Sequence, residues 1–283
     1  MKKFLLIFTT LIILVEGSCT DTNLITGQHI SDDFLVELIA NEEDESPMLQ
    51  ITRGENEVHL LPINHPDISL PIPFDNVTIL AVQDLDNDDE PEIILDIFTP
   101  GSNCCTNIFV FFYDQGAETY KSGDFLSTIW SISPKLVDIQ NDNYPEFVTR
   151  NPHHPWLAPP AASVGPIQIY RFDDGRFIDV TLDYPDLILE DANMWLTSAQ
   201  GEVAVLSPEY LAITEEDPVW WATSLEGNEN TVLSTYLYEM HLLGKGNEGL
   251  SNVSQVCKGD NCADYFEQLQ VVILQDRRFD SAP

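Results

Sequence analysis

Asp84-Leu-Asp-Asn-Asp-Asp-Glu-Pro-Glu92 and Asp138-Ile-Gln-Asn-Asp-Asn-Tyr-Pro-Glu146 begin 54 residues apart and place oxygen-bearing side chains at the same alternate positions. Each segment sits between short apolar runs: Val77-Thr-Ile-Leu-Ala-Val and Ile93-Ile-Leu flank the first, Lys135-Leu-Val and Phe147-Val-Thr the second. Clustered carboxylates repel one another, and a hard cation that takes six to eight oxygens from alternate residues of a tight loop relieves that repulsion. Both segments therefore read as calcium loops. Asp84, Asp86, Asp88, the Glu90 carbonyl and Glu92 are the expected ligands of the first, and Asp138, Gln140, Asp142, the Tyr144 carbonyl and Glu146 hold the same places in the second. Gln140 exchanges a carboxylate for an amide, so the second site is expected to be the weaker. Neither is an EF-hand, which needs Glu at position twelve and Gly at six. Leu95 and Thr149 stand at twelve, Asp89 and Asn143 at six. Asp and Asn tolerate the left-handed turn required at position six better than other non-glycine residues.

A strand, an Asp-x-Asp-x-Asp loop, Pro-Glu and a second strand together resemble the FG-GAP or VCBS-type repeats of integrin-like propellers and exported bacterial proteins. Ile93-Ile-Leu-Asp-Ile-Phe-Thr-Pro-Gly-Ser-Asn-Cys-Cys105 is similar to a vicinal-cysteine variety of that repeat. The resemblance covers roughly residues 76 to 181. It departs from the family in lacking the central glycine of both loops and in Gln140. It implies calcium-stabilised β-structure outside the cytosol, with no single function.

The surrounding pattern gives an α+β expectation. Phe34-Leu-Val-Glu-Leu-Ile-Ala, Leu49-Gln-Ile-Thr and Val58-His-Leu-Leu suit antiparallel strands of an irregular unit at 19–75. Two repeat units at 76–183 follow a proline-rich connector, and each ends on an Asp-x-Gly turn, Asp114-Gln-Gly and Asp173-Asp-Gly. The extra residues of the second unit fall in the loop-like stretch from Asn151 to Pro166. Two clear units and an irregular one are too few to close a propeller, so an incomplete blade stack is expected, with open edges that the rest of the chain must cover. Beyond residue 184 the apolar spacing becomes helical, as in Val232, Leu233, Tyr236, Leu237 and Met240, and again in Tyr265, Phe266, Leu269 and Ile273. Asn247 is the expected N-cap of a short helix before Cys257.

Met1-Lys-Lys followed by an apolar run from Phe4 to Val15 reads as an export signal over residues 1–18. Gly17-Ser18-Cys19 is compatible with lipidation of Cys19, which would anchor the protein to a membrane, and equally with ordinary cleavage nearby. Outside the cytosol the other four cysteines can form disulfides. Cys257 and Cys262 bracket a turn-like insert and form the preferred pair, whereas Cys104 and Cys105 can pair with each other, pair elsewhere or stay reduced. The 283 residues hold 47 acidic against 12 basic, a formal charge of -35, which repels phosphate backbones and excludes nucleic acid as a partner.

No His-Glu-x-x-His, Gly-x-Ser-x-Gly or phosphate-loop motif occurs. His153 and His154 read as loop residues. Glu190-Asp191 or Glu215-Glu216-Asp217 would have to supply the carboxylate pair of a glycosidase. Trp156, Tyr170 and Trp220-Trp221 are the aromatic faces available for stacking on a ligand. The expected function is a calcium-binding β-repeat module for binding or scaffolding at a bacterial cell envelope, periplasmic or extracellular. Its partners would be an envelope protein or carbohydrate, and dimerisation through open sheet edges is compatible with the pattern. The alternative is a secreted hydrolase of polysaccharide or peptide in which calcium only braces the fold.

Overall fold

A computed structural model describes residues 26–31, 34–54, 57–64, 72–101, 104–127, 133–150, 165–202, 206–214, 229–257 and 262–273. Among the described residues, twelve strands come first and five α-helices follow. The strands are β1 (Thr26–Ser31), β2 (Phe34–Ala40), β3 (Pro47–Arg53), β4 (Glu57–Pro62), β5 (Val77–Gln83), β6 (Glu92–Gly101), β7 (Cys104–Asp114), β8 (Thr119–Ser127), β9 (Lys135–Val137), β10 (Glu146–Arg150), β11 (Ile167–Asp173) and β12 (Arg176–Asp179). The helices are α1 (Pro185–Ala199), α2 (Pro208–Thr214), α3 (Glu229–Leu242), α4 (Gly246–Val256) and α5 (Cys262–Ile273). The mixed α+β class expected from the pattern is what forms.

Consecutive strands pair antiparallel into three four-stranded sheets, β1–β4, β5–β8 and β9–β12. The N-terminal unit, expected to be irregular, is as regular a meander as the other two. The sheets stack in chain order, and alternation along single strands shows how. In β6, Ile93, Leu95 and Ile97 pack toward the first sheet against Val36, Leu38, Leu49 and Ile51. Ile94, on the opposite side of the same strand, packs toward Phe147 and Phe172 of the third. Successive side chains of a strand point to opposite faces, so a sheet buried on both sides reads as a continuous apolar run. Ile93-Ile-Leu95 is that run, and all three are 0% exposed.

The third sheet turns Val148, Ile167 and Ile169 away from the second, into a core made with the helices. The C-terminal part thus covers a sheet face, and α2 also lies beside the β9 edge. Every residue from Val232 to Met240 in α3 is buried, as in a helix that is surrounded rather than amphipathic. Helix α4 begins at Gly246, with Lys245 before it and no side-chain cap, so Asn247 is inside the helix and is not its N-cap. A Cβ on Gly246 would run into the His241 ring, and Gly249 lets α4 approach Met240 and Leu237 of α3.

The second Asp-x-Gly turn docks one sheet on the next. Asp173 pairs with Arg176, and the residues between them, Asp174 and Gly175, have φ of +46° and +78°, the type I′ geometry favoured in two-residue hairpins. The Gly175 carbonyl accepts from the Asp124 amide at 2.8 Å, and a Cβ on Gly175 would lie 2.6 Å from the Phe112 ring. Gly175→Ala is therefore expected to cost roughly 2 kcal/mol through backbone strain and overpacking. Urea denaturation checks this, and a loss within error of zero would show that the contact relaxes freely.

Candidate functional site

Both acidic segments form the same kind of loop and share four side-chain-to-backbone hydrogen bonds. In the first, Asp84 Oδ1 accepts from the amides of Asn87 at 2.6 Å and Asp88 at 3.3 Å, and Oδ2 from Asp89 at 3.1 Å. Asp88 Oδ1 accepts from the Glu90 amide at 2.8 Å, and Glu92 Oε2 from the Leu85 amide at 2.7 Å. In the second, Asp138 accepts from Asp142 at 3.0 Å and Asn143 at 2.9 Å, Asp142 from Tyr144 at 3.0 Å, and Glu146 from Ile139 at 3.1 Å. Positions four and six are left-handed in both, Asn87 and Asp89 at φ 60° and 69°, Asn141 and Asn143 at 54° and 66°. Asp and Asn stand in for the missing glycine, as expected at position six. The first residue of each loop accepts from the amides of its own loop, which curls the chain.

Only the first loop, among the described residues, brings three carboxylates together, with one oxygen each from Asp84, Asp86 and Asp88 within 4.8 Å of one another. Oδ1 of Asp86 is buried and has no hydrogen-bond partner. Burial raises the Asp86 carboxyl above its ordinary range, and the charges of Asp88, Asp84 and Asp173 add to the effect. Glu92 is 1% exposed and lies beneath the loop on the Leu85 amide, outside the triplet. Burial is the main reason its carboxyl is pushed up to about 8, against a partly compensating bond from the Leu85 amide, with the three aspartates raising it further. The Glu90 side chain turns outward to Arg53 of the first sheet, whose Nη2 reaches its two oxygens at 2.7 and 2.6 Å. That leaves Glu90 available to the loop through its carbonyl alone. Gln115, in the β7–β8 hairpin, donates to Asp88 Oδ2 at 3.4 Å. An orphaned buried oxygen within an all-oxygen donor set fits a hard divalent cation.

The second loop differs in its surroundings. Arg171 Nη2 lies 2.5 Å from Glu146 Oε1 and 3.8 Å from Asp142 Oδ2, with its guanidinium 5.6 Å from the Tyr144 ring centroid. Tyr184 donates to the same Glu146 oxygen at 2.7 Å and also hydrogen-bonds Gln140, and its phenol is pushed up to about 12 mainly by burial. Sequence reasoning did not single out Arg171. Its signal was a lone cation in the apolar strand Ile167-Gln-Ile-Tyr-Arg-Phe, where the first repeat has Phe112.

A second polar cluster, also missed, lies between the third sheet and the helices. Arg150 grips Asp191 with two bonds of 2.9 and 2.8 Å, and its guanidinium sits 5.0 Å from the Trp195 ring centroid. Trp195 Nε1 donates to Asp191 at 2.9 Å, and the Tyr210 hydroxyl bonds to it as well. Asp191 and Glu239 are both 0% exposed. Burial opposes ionisation of Asp191, yet Arg150 and its hydrogen-bond donors outweigh that and hold its carboxyl at about 2. Burial and the adjacent Asp191 charge drive Glu239 well above the usual carboxylate range. Glu239 accepts from the Ile167 amide at 3.0 Å through Oε1, and its Oε2 is buried without a hydrogen-bond partner.

This placement removes Asp191 from a glycosidase pair, because it is sealed in an ion pair. Glu190 caps the start of α2 by accepting from the Ser207 amide and hydroxyl, at 2.5 and 2.9 Å. Tyr170 is half-buried, with the Phe177 ring edge-on at 6.3 Å between centroids. Cys257 is disulfide-bonded. The side chains of Cys104, Cys105 and Cys262 lie outside the described part, as do residues 1–25 with Cys19, His153, His154, Trp156, Glu215, Glu216, Asp217, Trp220 and Trp221. Among the described residues, no helix is long and apolar enough to cross a membrane.

Fold and site together define an acidic α+β protein of stacked antiparallel sheets with one three-carboxylate loop. No family profile matches the chain, and no solved structure matches it. The chain is similar to a probable thylakoid lumen protein of Synechocystis sp., with 24% identity over 215 residues, which are 73% of this chain and 57% of that protein. It therefore spans less than two thirds of that relative's length.

Proposed function

We propose that this is an exported or lumenal calcium-stabilised β-repeat protein that acts as a binding or scaffolding module, with calcium in a structural role. The observation that carries this reading is the convergence of Asp84, Asp86 and Asp88 around a buried, unpartnered Asp86 oxygen. Asp84, Asp86, Asp88 and the Glu90 carbonyl would hold the ion, with Glu92 joining once it gives up its proton. The bound ion would supply the positive charge that the loop carboxylates share.

Three four-stranded meanders, two of them with Asp loops between their first two strands, support the FG-GAP or VCBS-type resemblance and a blade-like repeat. A location outside the cytosol is supported by the basic-apolar start of the chain, by the disulfide at Cys257, and by the lumenal assignment of the Synechocystis protein. Partners at a cell envelope or in a lumen, protein or carbohydrate, would meet the exposed loops and hairpins at the sheet ends.

Thermal unfolding in calcium chloride, in EDTA and in magnesium chloride tests the reading. Calcium at about a hundredfold over its dissociation constant is expected to add roughly 3 kcal/mol, because it binds the folded loop and not the unfolded chain. Magnesium demands a stricter octahedron and sheds water reluctantly, so it is expected to add much less. Equal melting temperatures in calcium and EDTA would remove the reading.

A further inference from the structure

The two loops share four hydrogen bonds to their own amides and both left-handed positions, so a difference in what faces them is informative. Strand pairing sets Glu146 opposite Arg171. In the first repeat Ile93 pairs with Phe111, which puts Phe112 opposite Glu92. Arg171 and Phe112 also stand two residues before the equivalent turn residues Asp173 and Asp114. The same strand position thus faces the ninth loop residue in both repeats, with a cation in one and a ring in the other.

We infer that the Arg171 guanidinium takes the place of the metal ion in the second loop, which the protein closes by itself and which takes no calcium. The inference rests on the calcium reading of the first loop for its contrast, and it concerns Arg171 alone. The guanidinium lies 2.5 Å from Glu146 and 3.8 Å from Asp142, the ninth- and fifth-position carboxylates. Tyr184 holds the third-position Gln140 and shares the Glu146 oxygen. Three of the five groups that a divalent ion would draw together, Gln140, Asp142 and Glu146, are held by one arginine and one phenol. Arginine suits this task because it stays charged at every physiological pH and offers donors in a planar fork that matches carboxylates. A divalent ion brought beside that fixed positive charge would be repelled. In the first repeat the Phe112 ring packs against Gly175 and lies 4.8 Å from Lys121 Nζ, which itself pairs with Asp114. Among the described residues, no lysine or arginine pairs with Asp84, Asp86, Asp88 or Glu92.

Hydrogen exchange of the full chain, read at the Leu85, Asp88 and Asp89 amides and at the Ile139, Asp142 and Asn143 amides, tests this with calcium chloride as the probe. In EDTA the second set is expected to be protected already, and calcium should slow it by less than about twofold while slowing the first set about tenfold or more. Arg171→Leu should speed the second set in EDTA by about tenfold, and Arg171→Lys, which keeps the charge and loses the fork, by less. Protection of the second set that rises with calcium in the unaltered protein overturns the inference, as does protection that survives Arg171→Leu in EDTA. The calcium reading fails separately, if the first set ignores calcium. Should Arg171→Leu not fold, the unaltered protein and Arg171→Lys still decide.

Discussion

Asp86→Asn is expected to raise the melting temperature in EDTA and to erase most of the gain that calcium gives. The two effects have one origin. Without an ion, the Asp86 carboxylate carries a buried oxygen that nothing bonds and faces Asp84, Asp88 and Asp173. An amide at that position keeps the shape and drops the repulsion, a gain of less than about 1 kcal/mol for partly exposed charges. With calcium the same change removes one of the charged ligands, and most of the roughly 3 kcal/mol linkage contribution goes with it. Asp84→Asn would be the less informative variant, because Asp84 also accepts three amides of its own loop. A melt in which Asp86→Asn loses stability in EDTA and keeps the full calcium shift would contradict the proposed role of this side chain.

Glu92 adds a pH dependence to that experiment. Its folded carboxyl is raised from 4.5 to about 8. A raised value means that the folded protein holds the proton more tightly than the unfolded chain, so this contribution to metal-free stability is complete below about pH 4.5 and is lost as pH climbs to about 8. Calcium binding must displace that proton, so the calcium-induced shift is expected to grow over the same interval.

Arg150→Met is expected to be the most damaging single change, at about 3–5 kcal/mol. It would leave Asp191 fully buried without its cation, beside a second acid, and a total stability of the usual 5–15 kcal/mol leaves little reserve. Adding Asp191→Asn should return part of the loss, since an amide needs no countercharge and can still accept from Trp195 and Tyr210. Urea titration of the single and double variants measures the coupling. A loss below about 1 kcal/mol for Arg150→Met would mean that water reaches the cluster and screens it.

The same cluster fixes a sign with pH. Glu239 is raised, so its contribution is present in acid and disappears as pH rises through its folded value. Asp191 is depressed from 3.8 to about 2, so its contribution is present above 3.8 and is lost as pH falls toward 2. Glu239→Gln, which fixes the neutral form, should flatten the alkaline side of the stability profile and leave the acid side in place.

Much of the site could be read from the chain because its geometry is local. Within each nine-residue loop, Asp at position one, Asp or Asn at four and six, and Pro-Glu at eight and nine set the turn through bonds between near neighbours. Strands β9 to β12 and helices α3 and α5 were likewise visible, since period-two and helical spacing report the burial of adjacent turns. The regularity of the first sheet was hidden. Its β1–β2 connection is the short Asp32-Asp33 step, and it carries no Asp-x-Asp loop to mark the unit. Asn247 misled because a polar residue early in a helix resembles a cap, whereas α4 begins one residue earlier, at Gly246, with no side-chain cap.

The sequence by itself determined the repeat, the acidic loops, the change from strands to helices and the strongly negative charge, all of which follow from residue type and spacing over a few turns of chain. Only the tertiary structure decided which loop gathers three carboxylates and which is met by an arginine. It also decided that the helices cover the third sheet's far face, and that Asp191 is a buried partner of Arg150 and not half of an acid pair. These outcomes depend on strand register and packing between residues 25 to 48 positions apart, such as Glu146 with Arg171 and Arg150 or Glu239 with Asp191. A change of one residue in register would turn each side chain to the opposite face, so no pattern read along the chain could have fixed them.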